Sequence, residues 1–349
     1  MKNFARYLSY RLETSAMRTL LLTVISLLIS LYTVADCTNK DEIRYNQTGI
    51  YVLAIVLGAV CTLIPMLETA GFKNRRNLDT LYFFPIKRVK MALAHFLSGF
   101  VQVTLIYSIT FFAVYAYLAA KTDYFALGYM FFYYILSLLL GLIMYSIFIF
   151  LFGQANTVAD GVVFCIIWIF ALCLIIFTLR TEVLGAIVTD KKSAIWQSTV
   201  DLPSWGIIYA PINNLTVIFQ DLIEVNRKAL QYTSTSAYAQ RYIDTMYMFF
   251  VWGALGLASA VGYFITFVKK GAQRAGEISD SFFGYRTLIP VCGYCLLLFF
   301  GSMEGVMLAL VFAAMIAGYA MYRRSFRLKA SDLIITGCGI LALLLGSIF

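Results

Sequence analysis

Few residues in this chain are placed to make or break bonds. The single histidine, His95, has no second histidine for an H-E-x-x-H zinc site and no serine–aspartate pair for nucleophilic catalysis. It falls near the end of an apolar run and reads as a packing or interfacial residue. Cys292 and Cys295 have the C-x-x-C spacing of a redox or metal pair, but with no second pair and an apolar setting they read as packing residues. Asp160 borders an apolar run, where a carboxylate would mark a functional site. Yet Thr157-Val158-Ala159-Asp160 fits the [ST]-x-x-[DE] capping box that satisfies free backbone N–H groups at a helix start. No G-x-x-x-x-G-K-[ST] phosphate loop occurs, so any ATP must be bound by another chain. An intramembrane enzyme lacks the paired polar groups it would need. The acid that stands out is Glu68, at the end of one apolar run and facing the basic cluster that follows it.

The elements that hold these residues are set by composition. Of 349 residues, 61% are hydrophobic and 13% charged, against about 45–50% and about 25% in soluble domains. Such a chain is solvated by lipid. The formal charge of +9 does not point to nucleic acid, because Lys and Arg cluster beside apolar runs, as topology signals do. Six of the seven cysteines lie inside apolar runs and only Cys37 sits in a polar loop, so no disulfide framework is implied.

A membrane core of about 30 Å needs about 20 apolar residues. Runs of that kind occupy 17–35, 49–67, 90–119, 124–152, 158–179 and 246–268. Residues 287–322 are too long for one span and are interrupted at Gly301-Ser302-Met303-Glu304-Gly305, which predicts a helical hairpin. Residues 333–349 make a ninth span. Ahead of the first span, residues 1–13 are amphipathic at helical spacing. Phe4, Tyr7, Leu8 and Leu12 share one face, which Arg11 alone intrudes upon, and this predicts a helix lying in the headgroup plane with Arg11 snorkelling.

Placing the N-terminus inside puts most short-loop Lys and Arg in the cytosol, among them Arg6, Arg11, Arg18, Arg75, Arg76, Lys87, Arg88, Lys90 and Lys269. The short outer loops hold only Lys40, Arg44 and Lys121. With nine spans the C-terminus falls outside. The chain stops at Phe349 without a polar tail, either flush with the outer surface or as a piece of a longer protein. The outer connection 180–245 balances its charges and is apolar. Trp196, Trp205 and Tyr209 predict an interfacial or re-entrant cap, with a small outer domain as the competing reading.

Segment 68–90 is the candidate working part. Asn77–Phe84 predicts a short helix with Leu78, Leu81 and Tyr82 on one side and Arg75, Arg76 and Asp79 near its start. Phe83 and Phe84 add to the apolar set. Pro85 cannot continue that helix but suits the first turn of the next, and Lys87, Arg88 and Lys90 mark the headgroup level. A merely solvated loop has no use for so many apolar residues.

With Glu68, Leu78, Leu81, Pro85-Ile86-Lys87-Arg88 and Lys90 in this order, and Phe267-Val268-Lys269-Lys270 leaving the sixth span, the chain resembles the permease subunits of type-two ABC exporters in bacteria. The resemblance covers about residues 1–277. It implies an all-α, polytopic helical membrane protein with a six-span core over 1–270 and about three further spans over 271–349, in the cell membrane with a cytoplasmic N-terminus. It also implies a second permease, identical or homologous, and an ABC ATPase that carries ATP and magnesium, this chain binding no cofactor. Residues 68–90 would be the coupling segment, with Glu68, Arg75, Arg76, Leu78, Leu81, Tyr82, Phe83, Phe84, Pro85 and Arg88 meeting the ATPase. Spans with few charges suit an amphiphilic, lipid-like or peptide-like cargo rather than a small ion. A non-transporting receptor or scaffold, with the outer cap as its ligand platform, is the alternative.

Overall fold

The computed structural model describes residues 2–38, 46–74, 86–121, 127–178, 236–269, 276–277, 279, 281–299, 305–323 and 337. Every regular element among them is helical: α1 (Lys2–Thr38), α2 (Asn46–Thr69) continued by a 3₁₀ turn (Ala70–Lys73), α3 (Arg88–Lys121), α4 (Leu127–Gln154), α5 (Val158–Thr178), α6 (Ser236–Lys269), α7 (Tyr285–Phe299) and α8 (Gly305–Arg323). Helices are what such sequences must form in lipid, where no water can satisfy an unpaired N–H or C=O. Among the described residues, five stretches are long and apolar enough to cross a membrane: Phe4–Asp36, Val52–Lys73, Arg88–Lys121, Tyr133–Gln154 and Phe250–Lys269. The described parts of α5 and α8, Val158–Leu172 and Ala309–Tyr322, are apolar but shorter. The chain has the build of a multi-pass helical membrane protein. The ninth span of the sequence reading and the outer cap lie outside the described residues, apart from Gly337 and the start of α6.

One expectation fails at the N-terminus. The interfacial helix and the first span are a single helix of 37 residues, about 55 Å long at 1.5 Å per residue. The apolar face of its first turns meets protein rather than lipid. Tyr7 forms a buried cluster with Met91 and Ala94 of α3, flanked by Phe4, Leu8, Phe72, Ile86 and Phe267. Farther along, α1 is polar or small on its inner face and apolar on its outer one. Ser15, Ser26 and Ser30 are buried, whereas Met17, Leu20, Leu21, Val24, Leu28 and Tyr32 are exposed. Small residues let neighbouring helices approach closely in lipid, and bulky apolar side chains face the acyl chains.

The chain forms two compact units, one of α1–α4 and α6, the other of α5, α7 and α8. This division differs from the boundary expected at residue 270, since the fifth span groups with the C-terminal helices. In the first unit α3 packs along α1 and α2 and also meets α6. The α4 helix is deeply enclosed, with Tyr145, Ile149 and Phe152 fully buried. It is tied to α2 by the Cys61 thiol on the Gly141 carbonyl (3.1 Å) and to α3 by the Tyr145 hydroxyl on the Phe96 carbonyl (3.1 Å).

In the second unit α7 lies against both α5 and α8, as the predicted hairpin requires of α7 and α8. The capping box at the start of α5 is half made. The Asp160 amide donates to Thr157 Oγ1 (3.1 Å), but the Asp160 carboxylate turns away from its own helix. It accepts from Ser279 Oγ (2.7 Å) and from the Tyr285 hydroxyl (2.8 Å). The Asn156 amide donates to Ser279 Oγ (2.8 Å), and Trp168 Nε1 donates to the Phe283 carbonyl (2.8 Å). Tyr285 precedes the apolar run of α7, and burial followed by the adjacent Asp160 carboxylate pushes its phenol up to about 12. It stays protonated and remains a donor. These bonds join residues more than a hundred positions apart, and they explain why the fifth span travels with the C-terminal helices.

Close approach of α4 and α6 rests on glycine. A Cβ on Gly256 would lie 2.8 Å from Ile143 Cγ2 and 3.1 Å from its Cα, whereas one on Gly253 would meet only Ile143 Cδ1, at 3.8 Å. Gly256→Ala should therefore destabilise the protein by about 1–3 kcal/mol through overpacking. Gly253→Ala should be neutral, or stabilising by up to about 1 kcal/mol through helix propensity. Thermal unfolding in detergent separates the two, and equal shifts would contradict this α4–α6 contact.

Candidate functional site

The site is a buried group of polar and charged side chains where α1, α2 and α3 meet. The α1 helix supplies Tyr7, Arg11 and Arg18, spaced i, i+4 and i+11, which puts all three on one face at 100° per residue. The α2 helix supplies Glu68 in its last turn. His95, Ser98 and Gln102 on α3, spaced i, i+3 and i+7, turn one face toward the same point.

Glu68 is the hub, its side chain wholly removed from solvent. Arg11 Nη2 donates to Glu68 Oε2 at 2.7 Å and reaches the Glu68 backbone carbonyl at 3.4 Å, near the C-terminus of α2. A cation is well placed there, since the last carbonyls of a helix have no intrahelical partner. Arg18 Nη2 donates to Glu68 Oε1 and also to Gln102 Oε1 (3.1 Å). Gln102 returns its own amide hydrogens to Glu68 Oε1 (2.7 Å) and Ser98 Oγ (3.1 Å). His95 sits beside the same carboxylate, with Nδ1 3.4 Å from Glu68 Oε2. That separation is a close polar contact rather than an aligned hydrogen bond, since the Nδ1 geometry fails as one. On its other side His95 Nε2 lies 3.0 Å from the Tyr7 hydroxyl, and Phe72 covers the ring edge-on at 4.7 Å between centroids.

Five residues on the 3₁₀ side of Glu68, Lys73 is also buried. Its Nζ donates to the Phe152 carbonyl at 2.6 Å and lies 4.3 Å from the centre of the Phe152 ring. Phe152 is in the last turn of α4, so the ammonium caps a helix C-terminus while the ring supplies a cation–π contact. The two arginines exceed the charge of Glu68, and they reach water in part. Arg11 and Arg18 side chains are 17% and 28% exposed. The excess positive charge is therefore held at a wet edge rather than in a dry core.

Of the residues expected to couple to an ATPase, Glu68 and Arg88 are placed and do not meet each other. Arg88 is exposed and reaches the Val268 carbonyl at 3.4 Å, in the last turn of α6. Arg75, Arg76, Leu78, Leu81, Tyr82, Phe83, Phe84 and Pro85 lie outside the described residues, as do Trp196, Trp205 and Tyr209 of the outer cap. Glu68 was expected to face the basic residues that follow it, yet the arginines that bind it here, Arg11 and Arg18, precede it on α1. Arg11 is paired rather than snorkelling. His95 is a packing residue, as read, but one with polar neighbours on both ring nitrogens. Its signal in the sequence was the i, i+3, i+7 set with Ser98 and Gln102, a polar face on an apolar helix.

Among the described residues no group of three or more His, Cys, Asp or Glu could hold a metal ion. What the arrangement can do is mechanical: it fixes three helices at one level through charge-assisted bonds that only hold together as a set. Compared with known proteins, the chain matches no protein-family model and no curated protein.

Removing the hub leaves two guanidiniums without a counter-ion. Glu68→Gln should cost stability toward the lower end of about 3–5 kcal/mol, since both arginines are partly wet. Glu68→Gln combined with Arg11→Gln should recover part of that loss. Thermal unfolding of Glu68→Gln, Arg11→Gln and the double variant checks this, and strictly additive losses would mean that the pair does not interact.

Proposed function

We propose that this chain is the membrane-spanning permease subunit of an ATP-driven exporter of the type-two ABC class, with a six-span core. It sits in a bacterial cell membrane with its N-terminus in the cytoplasm. It pairs with a second permease and with a separate ATPase subunit, and it forms the path for an amphiphilic, lipid-like or peptide-like cargo. The observation that carries this reading is the fastening of both flanks of segment 75–85. Upstream, Glu68 is bound to Arg11 and Arg18, and Lys73 to the end of α4. Downstream, Ile86 and Met91 pack with Tyr7 and Phe267, and His95 and Gln102 converge on Glu68.

A force applied to that segment by a partner enters α2 and α3 together and reaches α1, α4 and α6 through these bonds. An unstrained cytosolic loop needs no such anchoring. Charge-assisted bonds out of water are stiff, because a displaced partner leaves a buried charge unpaired. In this scheme Glu68 acts as a positioning residue, and the contact with the ATPase is made by Leu78, Leu81, Tyr82, Phe83 and Phe84.

Affinity purification of the tagged chain from its native membrane should recover an ATPase subunit with a Walker motif. Leu81→Glu together with Phe84→Glu should lower that recovery at least about tenfold, since apolar anchors at an interface centre each contribute 2 kcal/mol or more in the strongest cases (about thirtyfold). Recovery of an intact chain with no ATPase would overturn the reading and favour a receptor or scaffold.

A further inference from the structure

The site just described leaves unused a set of basic residues around the start of α3. Lys87, Arg88 and Lys90 are all exposed, and so is Lys269 at the last position of α6. They belong to one surface. Arg88 reaches the Val268 carbonyl, and Phe267 and Ile86 pack against the same buried cluster of Tyr7, Met91 and Ala94. The end of α6 and the start of α3 are thereby held side by side. No acidic residue occupies the first turn of α3, and α6 carries its one acid, Asp244, near its opposite end. Neither helix places an acidic residue beside Lys87, Lys90 or Lys269.

The neighbours of these charges identify the partner. Val89, beside Lys90, is 54% exposed, and Leu93 is exposed on the same face one turn below it. On α6, Leu257, Val261 and Ile265 are exposed on the approach to Lys269. Each helix thus presents an apolar stripe that ends in lysine or arginine. An acidic protein surface would match the charges and leave the stripes uncovered. An anionic lipid matches both, its phosphate at the basic residues and its acyl chains along the stripes.

We propose that Lys87, Lys90 and Lys269, with Arg88 bracing the two helix ends, form a surface that retains anionic phospholipid in preference to zwitterionic lipid. The occupant is a phospholipid of the surrounding bilayer and not a soluble phosphate. The preference does not depend on transport. It holds whether the chain is a permease or a receptor.

The test uses the full chain reconstituted in phosphatidylcholine nanodiscs, with spin-labelled phosphatidylglycerol or spin-labelled phosphatidylcholine as the probe. Motionally restricted probe should be several-fold richer for phosphatidylglycerol. Lys87→Gln, Lys90→Gln and Lys269→Gln should each reduce that preference by up to about fivefold at low salt, and the triple variant should bring it close to unity. Arg6→Gln, an exposed basic position on α1, should leave it unchanged. Three results would each overturn the proposal: equal retention of both probes by the unaltered protein, an unchanged preference in the triple variant, or an equal loss in Arg6→Gln. Displacement of the labelled lipid by inorganic phosphate would do so as well, by making the surface a general anion site.

Discussion

A carboxylate with no access to water has to be met by donors on every side, and in this molecule that condition falls on Glu68. Its two oxygens are shared among Arg11, Arg18, Gln102 and His95, which come from two different helices. None of these can shift alone without stranding a charge or a buried polar atom, and a stranded group costs more than the bond it gave up. The register of α1 against α2 and α3 follows from this. So does the position of the 3₁₀ turn, which carries Lys73 to the end of α4.

Around that fixed point the helices are held by weaker and less specific means. Lipid gives no hydrophobic drive for one apolar helix to join another, so close packing has to be built from small residues and buried hydroxyls. Gly256 against Ile143 is one such place. The Tyr107 hydroxyl on Ser137 Oγ (2.7 Å), between α3 and α4, is another. In the second unit Asp160 does for α5 and α7 what Glu68 does for the first, but with neutral hydroxyl donors. That arrangement fastens without concentrating charge.

Much of this was legible in the sequence, and the parts that were not share a cause. Apolar runs locate helices because the bilayer fixes their length: the runs at 17–35, 49–67, 90–119 and 246–268 fall within long helices, as does the described part of the run at 124–152. Glu68 stood out for the same reason, as an acid beside apolar sequence. Which charge would meet it was not readable. Periodicity gives the face of a helix but not what that face touches. Arg11, Arg18 and the buried serines of α1 form a stripe that hydrophobicity alone marks as the outside, and in lipid that stripe is the inside. The grouping of α5 with α7 was hidden because Asp160 meets Ser279 and Tyr285 across 119 and 125 residues, with no local pattern to announce it. Asp160 in a capping box was half right for that reason: the amide obeyed the local motif and the carboxylate answered a distant one.

The spacing of the buried pair along the chain also bears on how the protein is made. Glu68 lies 57 residues beyond Arg11 and 50 beyond Arg18. During synthesis from the N-terminus, the first helix is complete while its counter-ion has still to be added. Until then its guanidiniums have only headgroup phosphates and interfacial water to satisfy them. The second helix brings the missing negative charge, so α1 and α2 are suited to enter the lipid as a couple, and the ion pair that locks the finished structure also sets an order for its assembly.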